Sequence, residues 1–249
     1  MDHRHTVLLG RLLVIPLLPD EVHVWRASLD QTLSRVLRHA RMLSPDEQLR
    51  VERYYCERDR VRFIVSRGAL RAILGQYVDI APNRLQFRYG PHGKPALTED
   101  CGGAIFQFNL SHSEGLALIA VTCQRAIGID LEIIRPFDHL ERMSNRLFSC
   151  HERVALRSLP ASLKLEGFFK CWTCKEAYVK ACGDGLTRPL HQFDVLVIPG
   201  QPAQLLSVHN NAQEACRWTV MALRPAHGYA AALAVKGHGW RLKHQQWLV

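Results

Sequence analysis

The hydrophobic pattern lays out strands and helices in irregular alternation. Val22-His23-Val24-Trp25-Arg26-Ala27 alternates apolar and polar positions, as a half-buried strand does. Ser44-Pro45-Asp46-Glu47 has the form of a helix start: a Ser cap, Pro at the first helical position and acids in the first turn. Helical spacing then runs to about Tyr77 with at least one break, and Phe63, Ile64, Leu70 and Ile73 line its apolar side. Arg50, Arg58, Arg62, Arg67 and Arg71 give the same region a basic side, expected to be mainly a solvated face. Leu85–Arg88 reads as a strand, followed by the turn-rich segment Tyr89 to Pro95. Phe106 to Val121 is strand-like, but the polar Asn109-Leu110-Ser111-His112-Ser113 within it reads either as a ligand-contacting loop or as a hairpin turn.

In the second half, Val121 to Ile134 is rich in β-branched residues and predicts a strand with Asp130 and Glu132 on one face. A helix follows Ser149-Cys150-His151-Glu152. A second helix carries Trp172, Glu176 and Lys180 on one stripe at four-residue spacing, with Gly183 and Gly185 as its stop. Strands are expected at Phe193–Ile198, Arg217–Leu223 and Tyr229–Val235, with a loop at Val208–Gln213. This order predicts an α+β fold. Gly115–Val121 and Gly228–Val235 look alike, which suggests a duplicated unit, and no low-complexity linker separates the halves, taken as residues 1–122 and 123–249.

Composition narrows the partners. The 249 residues are 47% hydrophobic and 22% charged, as in ordinary soluble domains, and the net charge of +9 favours an anionic partner. The basic residues form no long block and lack interleaved aromatics, which argues against nucleic acid. The apolar start, Val7 to Leu18, is interrupted by Arg11, Pro16 and Pro19, so neither a signal peptide nor a membrane span is expected and the protein is placed in the cytoplasm. Eight cysteines are present, and only Cys171 and Cys174 are closely paired. With no second ligand pair, and with this one inside a helix, neither zinc nor redox chemistry is favoured.

The remaining chemistry concentrates in two stretches, Gly128-Ile129-Asp130-Leu131-Glu132 and Phe169 to Lys180. Asp130, Glu132 and Glu176 supply three oxygen ligands, and Lys175 and Lys180 two ammonium groups, a set suited to holding a hard divalent cation against a pyrophosphate. Taken singly, the two strand acids are an exposed face and Glu176–Lys180 a surface ion pair. The loop Gly90-Pro91-His92-Gly93-Lys94-Pro95 is no Walker loop, because Lys94 precedes Pro and the glycine spacing is wrong. Ser111 and His112 are adjacent, so their side chains diverge and do not form a nucleophile–base pair.

The ordered set Gly93-Lys94-Pro95, Asn109-Leu110-Ser111-His112-Ser113, Gly128-Ile129-Asp130-Leu131-Glu132 and Trp172 to Ala181 resembles the 4'-phosphopantetheinyl transferase superfamily, in its longer surfactin-type branch of two similar halves. The match runs from about Leu43 to Val235. The resemblance implies transfer of the phosphopantetheine arm of coenzyme A to a serine of an acidic apo carrier protein by a monomer, releasing adenosine 3',5'-bisphosphate, with the site between the halves. It implies Mg²⁺ on Asp130, Glu132 and Glu176, Lys180 and Lys175 near the phosphates, and Glu176 as ligand, base or both. It further implies a nucleotide pocket formed by Arg50, Arg88, His92, Gly93, Lys94, Pro95, Asn109, Ser111 and His112. A non-catalytic coenzyme A or carrier-binding module is the alternative.

Overall fold

A computed structural model describes residues 14–209 and 211–248; the apolar start as far as residue 13 lies outside them. In chain order the elements are β1 (Glu21–Ser28), α1 (Leu33–Ala40), α2 (Pro45–Val51), α3 (Glu57–Val78), β2 (Phe87–Tyr89), β3 (Pro95–Leu97), β4 (Phe106–Ser113), β5 (Leu116–Cys123) and β6 (Ile127–Ile133). There follow α4 (Leu140–Leu147), α5 (Cys150–Ser158), α6 (Ala161–Cys182), β7 (Phe193–Val195), β8 (Leu205–Val208), α7 (Ala212–Ala215), β9 (Trp218–Leu223), β10 (Tyr229–Lys236) and β11 (Arg241–Gln246). The α+β class is as expected.

Strand alternation decides the layering. Two main sheets, β11-β1-β5-β4 and β6-β10-β9, lie face to face. Leu116, Leu118 and Ala120 of β5 meet Ile127, Ile129 and Leu131 of β6 and Leu233 and Val235 of β10 in a core between the sheets. The other phase of β5, Ala117, Ile119 and Val121, packs under Leu70, Ile73 and Leu74 of α3. Ala232 and Ala234 of β10 likewise pack under Cys174, Ala177 and Tyr178 of α6. The result is four layers, helix–sheet–sheet–helix, with β5 and β10 at the sheet centres. The two similar glycine-led stretches are these two central strands.

Three expectations need correction. Asn109–Ser113 is neither loop nor turn but the end of β4, paired with Ala120–Leu116 of β5. Arg67 and Arg71 are buried, not part of a solvated face: Glu47 of α2 receives both guanidinium groups. The boundary at 122/123 fails for the last strand, because β11 runs parallel to β1, with Glu21 opposite Arg241 and Arg26 opposite Gln246. That strand and α1 carried no clear periodic signal.

Candidate active site

Asp130 and Glu132 point toward α6 because Ile129 and Leu131, in the opposite phase of β6, are consumed by the core between the sheets. Strand and helix touch closely. A Cβ on Gly128 would stand 2.1 Å from the Ala177 carbonyl oxygen and 2.4 Å from the Ala181 nitrogen, so only glycine admits the helix backbone here. This approach brings the Lys180 ammonium to 2.6 Å from Asp130 Oδ1. Asp130 Oδ2 and Glu176 Oε1 are buried and have no hydrogen-bond partner. Burial, then the neighbouring Asp130, raises the Glu176 pKa, with Lys180 opposing. Glu132 is raised by burial and Asp130, with the Ser113 hydroxyl opposing.

β6 is the edge of its sheet, and its outward N–H groups need acceptors. Side chains of β4 supply them in register: Ile129 N–H donates to Asn109 Oδ1 (2.8 Å), Leu131 N–H to Ser111 Oγ (3.2 Å) and Ile133 N–H to Ser113 Oγ (3.1 Å). The same hydroxyls then donate to the acids, Ser111 to Asp130 Oδ1 and Ser113 to Glu132 Oε2, both at 3.1 Å. Lys180 donates to Ser111 Oγ at 3.0 Å, which fills both lone pairs of that hydroxyl. Asn109 Oδ1 is therefore spent on joining the sheets, and Ser111 on joining them and aiming Asp130. His112 stands in the other phase of β4; partial desolvation of its ring, then the charges of Lys180 and Arg62, lowers its pKa.

His92, Gly93, Lys94, Asn109, Glu176, Val179 and Lys180, with Gly183 and Gly185, line a cavity of about 270 Å³. The Lys94 ammonium is turned inward, donating to the carbonyls of Ile127 (2.9 Å) and Lys180 (2.6 Å), and burial lowers its pKa to about 8. It ties the 90–94 turn to the start of β6 and the end of α6. Gly185 stacks under the His92 ring, where a Cβ would lie 2.6 Å from His92 Cβ.

Other expected pocket residues do not line this cavity. Arg50 is exposed on α2, its guanidinium 5.0 Å from the Phe63 ring, and Arg88 is exposed on β2. Pro95 begins β3 opposite Tyr89 and does not line the cavity. Lys175 does not approach the acids: it is fully buried on another side of α6, 2.7 Å from Glu152 Oε1. Sequence reasoning missed Gly128, Ser113, Glu152 and Gly185. For Ser113 the signal was present, since it continues the two-residue period of Asn109 and Ser111.

Among the described residues no three His, Cys, Asp or Glu side chains already form a cage for a cation. The partnerless oxygens of Asp130 and Glu176 nevertheless fit a hard cation, which takes carboxylate oxygens and leaves its other positions to water and phosphate.

Comparison with known proteins assigns the family. Residues 126–234 match the model of the 4'-phosphopantetheinyl transferase superfamily, and residues 23–124 that of the 4'-phosphopantetheinyl transferase N-terminal region. The chain is 44% identical over 229 residues to the 4'-phosphopantetheinyl transferase HetI of Nostoc sp., covering 92% of this chain and 93% of that one. It is 36% identical over 178 residues to a putative 4'-phosphopantetheinyl transferase of Synechocystis sp., covering 72% and 70%. The Sfp enzyme of Bacillus subtilis is 29% identical over 153 residues, covering 61% and 66%. By these matches, the chain belongs to the 4'-phosphopantetheinyl transferase superfamily.

Proposed function

We propose that this chain transfers the 4'-phosphopantetheine arm of coenzyme A to a serine of an apo carrier protein, with Mg²⁺ held by Asp130, Glu132 and Glu176. The observation that carries this reading is the pair of buried, partnerless carboxylate oxygens, Asp130 Oδ2 and Glu176 Oε1, beside the Lys180 ammonium. Held there by Asp130, Glu132 and Glu176, the cation would supply Lewis-acid chemistry and offset negative charge on the phosphates. The serine oxygen attacks the phosphorus that bears the pantetheine arm, and the bond to the nucleotide breaks, releasing adenosine 3',5'-bisphosphate. Glu176, its pKa raised by burial and by the neighbouring Asp130, accepts the serine proton. Lys180 offers positive charge to the phosphates, and Ser111 and Ser113 keep Asp130 and Glu132 oriented.

The net charge of +9 favours an acidic carrier and speeds the encounter. Among the described residues no helix is long and apolar enough to cross a membrane. Both walls of the cleft come from one chain, which favours a monomer. Asp130→Ala and Glu176→Ala are each expected to abolish Mg²⁺-dependent labelling of an apo carrier by fluorescent coenzyme A. Undiminished labelling in both would refute the site, and labelling limited to one event per protein would favour a binding module.

A further inference from the structure

The two halves share a buried device that only one of them uses beside a cleft. In the N-terminal half, Ser44 starts α2, and Glu47 accepts from the Ser44 amide (3.2 Å) and from the Arg71 guanidinium. Arg71 also donates to the Pro82 and Leu85 carbonyls, both at 2.9 Å. In the C-terminal half, Ser149 starts α5, and Glu152 accepts from the Ser149 amide (2.8 Å) and pairs with Lys175 (2.7 Å). Lys175 donates in turn to the Leu190 (2.7 Å) and Phe193 (2.5 Å) carbonyls. Arg71 and Lys175 each stand 14 positions after the first residue of a 22-residue helix.

This correspondence separates strut from chemistry. Counted along the helices, Ala72 occupies the position of Glu176 and Gln76 that of Lys180. Counted from the starts of β5 and β10, Trp25 (opposite Ile119) occupies the position of Asp130 (opposite Ala232). The N-terminal half thus keeps the carboxylate–cation strut and carries no acid or lysine at the positions of Asp130, Glu176 and Lys180. An ammonium has three donors, and Glu152, Leu190 and Phe193 take all three, which leaves none for a phosphate.

We propose that Lys175 is a positioning residue: with Glu152 it ties α5 and the 190–193 segment to α6, and so sets the rotation of that helix and the aim of Glu176 into the cleft. It makes no contact with coenzyme A. The functional part of this inference rests on the transferase reading above. The test is a double-mutant cycle of Lys175→Met and Glu152→Gln in the full chain, read by Tm and by kcat and KM for coenzyme A.

Each single variant leaves a charge buried alone and is expected to lower Tm by several degrees, on the order of 5 °C or more, while the double variant recovers part of that loss. In protein folded at the assay temperature, kcat is expected to fall about tenfold or more with KM for coenzyme A within about twofold. A strictly additive Tm loss, or kcat per folded molecule equal to wild type, overturns the proposal. So does a rise of about tenfold in KM for Lys175→Met alone, since that marks a phosphate contact. If a single variant does not fold, a folded double variant is itself the coupling, and its kcat and KM complete the test. If the wild-type chain labels no carrier, the transferase reading fails, and the Tm cycle still decides whether the strut exists.

Discussion

Gly128→Ala places a methyl group where the backbone of α6 already stands. The new carbon would lie 2.1 Å from the Ala177 oxygen, 2.4 Å from the Ala181 nitrogen and 2.9 Å from the Lys180 carbonyl carbon. All three are main-chain atoms of one helix, so no side-chain rotation relieves the clash. Restoring ordinary contact requires β6 and α6 to part by about 1 Å. Overpacking of this kind costs about 1–3 kcal/mol, which for a chain of this size corresponds to a Tm lower by roughly 2–12 °C.

The same displacement moves Glu176 and Lys180 away from Asp130, and a misplacement of about 1 Å at a reacting site costs about a hundredfold in rate. Thermal denaturation and multiple-turnover labelling of an apo carrier, run on one preparation, read both effects. A variant with Tm within about 1 °C of wild type and rate within about twofold would show that strand and helix do not meet at this residue.

Two further outcomes follow from the same geometry. Ser111→Ala leaves the Leu131 N–H buried without an acceptor and frees Asp130 from its hydroxyl donor, an expected loss of about 1–3 kcal/mol; an unchanged Tm would mean that the β4–β6 ladder does not hold the sheets together. Glu176→Gln is expected to abolish labelling yet raise Tm in cation-free buffer at neutral pH, because it removes a buried carboxylate that has no partner for one oxygen. A raised folded-state pKa means that the charged form is the destabilising one. The Tm gain is therefore full at pH above that raised value and disappears as pH falls below the ordinary glutamate value of 4.5. A gain that persists unchanged in acid would refute this cause.

Much of the site was legible because it follows from local periodicity. Alternation along Ile127–Ile133 puts Asp130 and Glu132 on one face, and four-residue spacing puts Glu176 and Lys180 on one stripe, whatever surrounds them. Local signals failed where partners distant in sequence decide. Polar residues at Asn109, Ser111 and Ser113 suggest a loop by composition, yet they sit in a strand because the edge of β6 needs acceptors there. Lys94 reads as a phosphate contact beside glycines, yet its ammonium is held by carbonyls of Ile127 and Lys180.

The sequence by itself determined most elements of both halves, the faces on which the acids stand and the family to which the chain belongs, since all three rest on the order and spacing of nearby residues. Tertiary structure alone decided which of two lysines on one helix meets the acids. Lys180 reaches Asp130, whereas Lys175, five residues earlier in the chain, is enclosed by Glu152 of α5 and the carbonyls of Leu190 and Phe193. It also decided that β11 closes the first sheet beside β1, a pairing between the two ends of the chain. The physical reason is the same in both cases: backbone period is a property of neighbours in sequence, while burial and the pairing of a charge or a strand edge depend on neighbours in space.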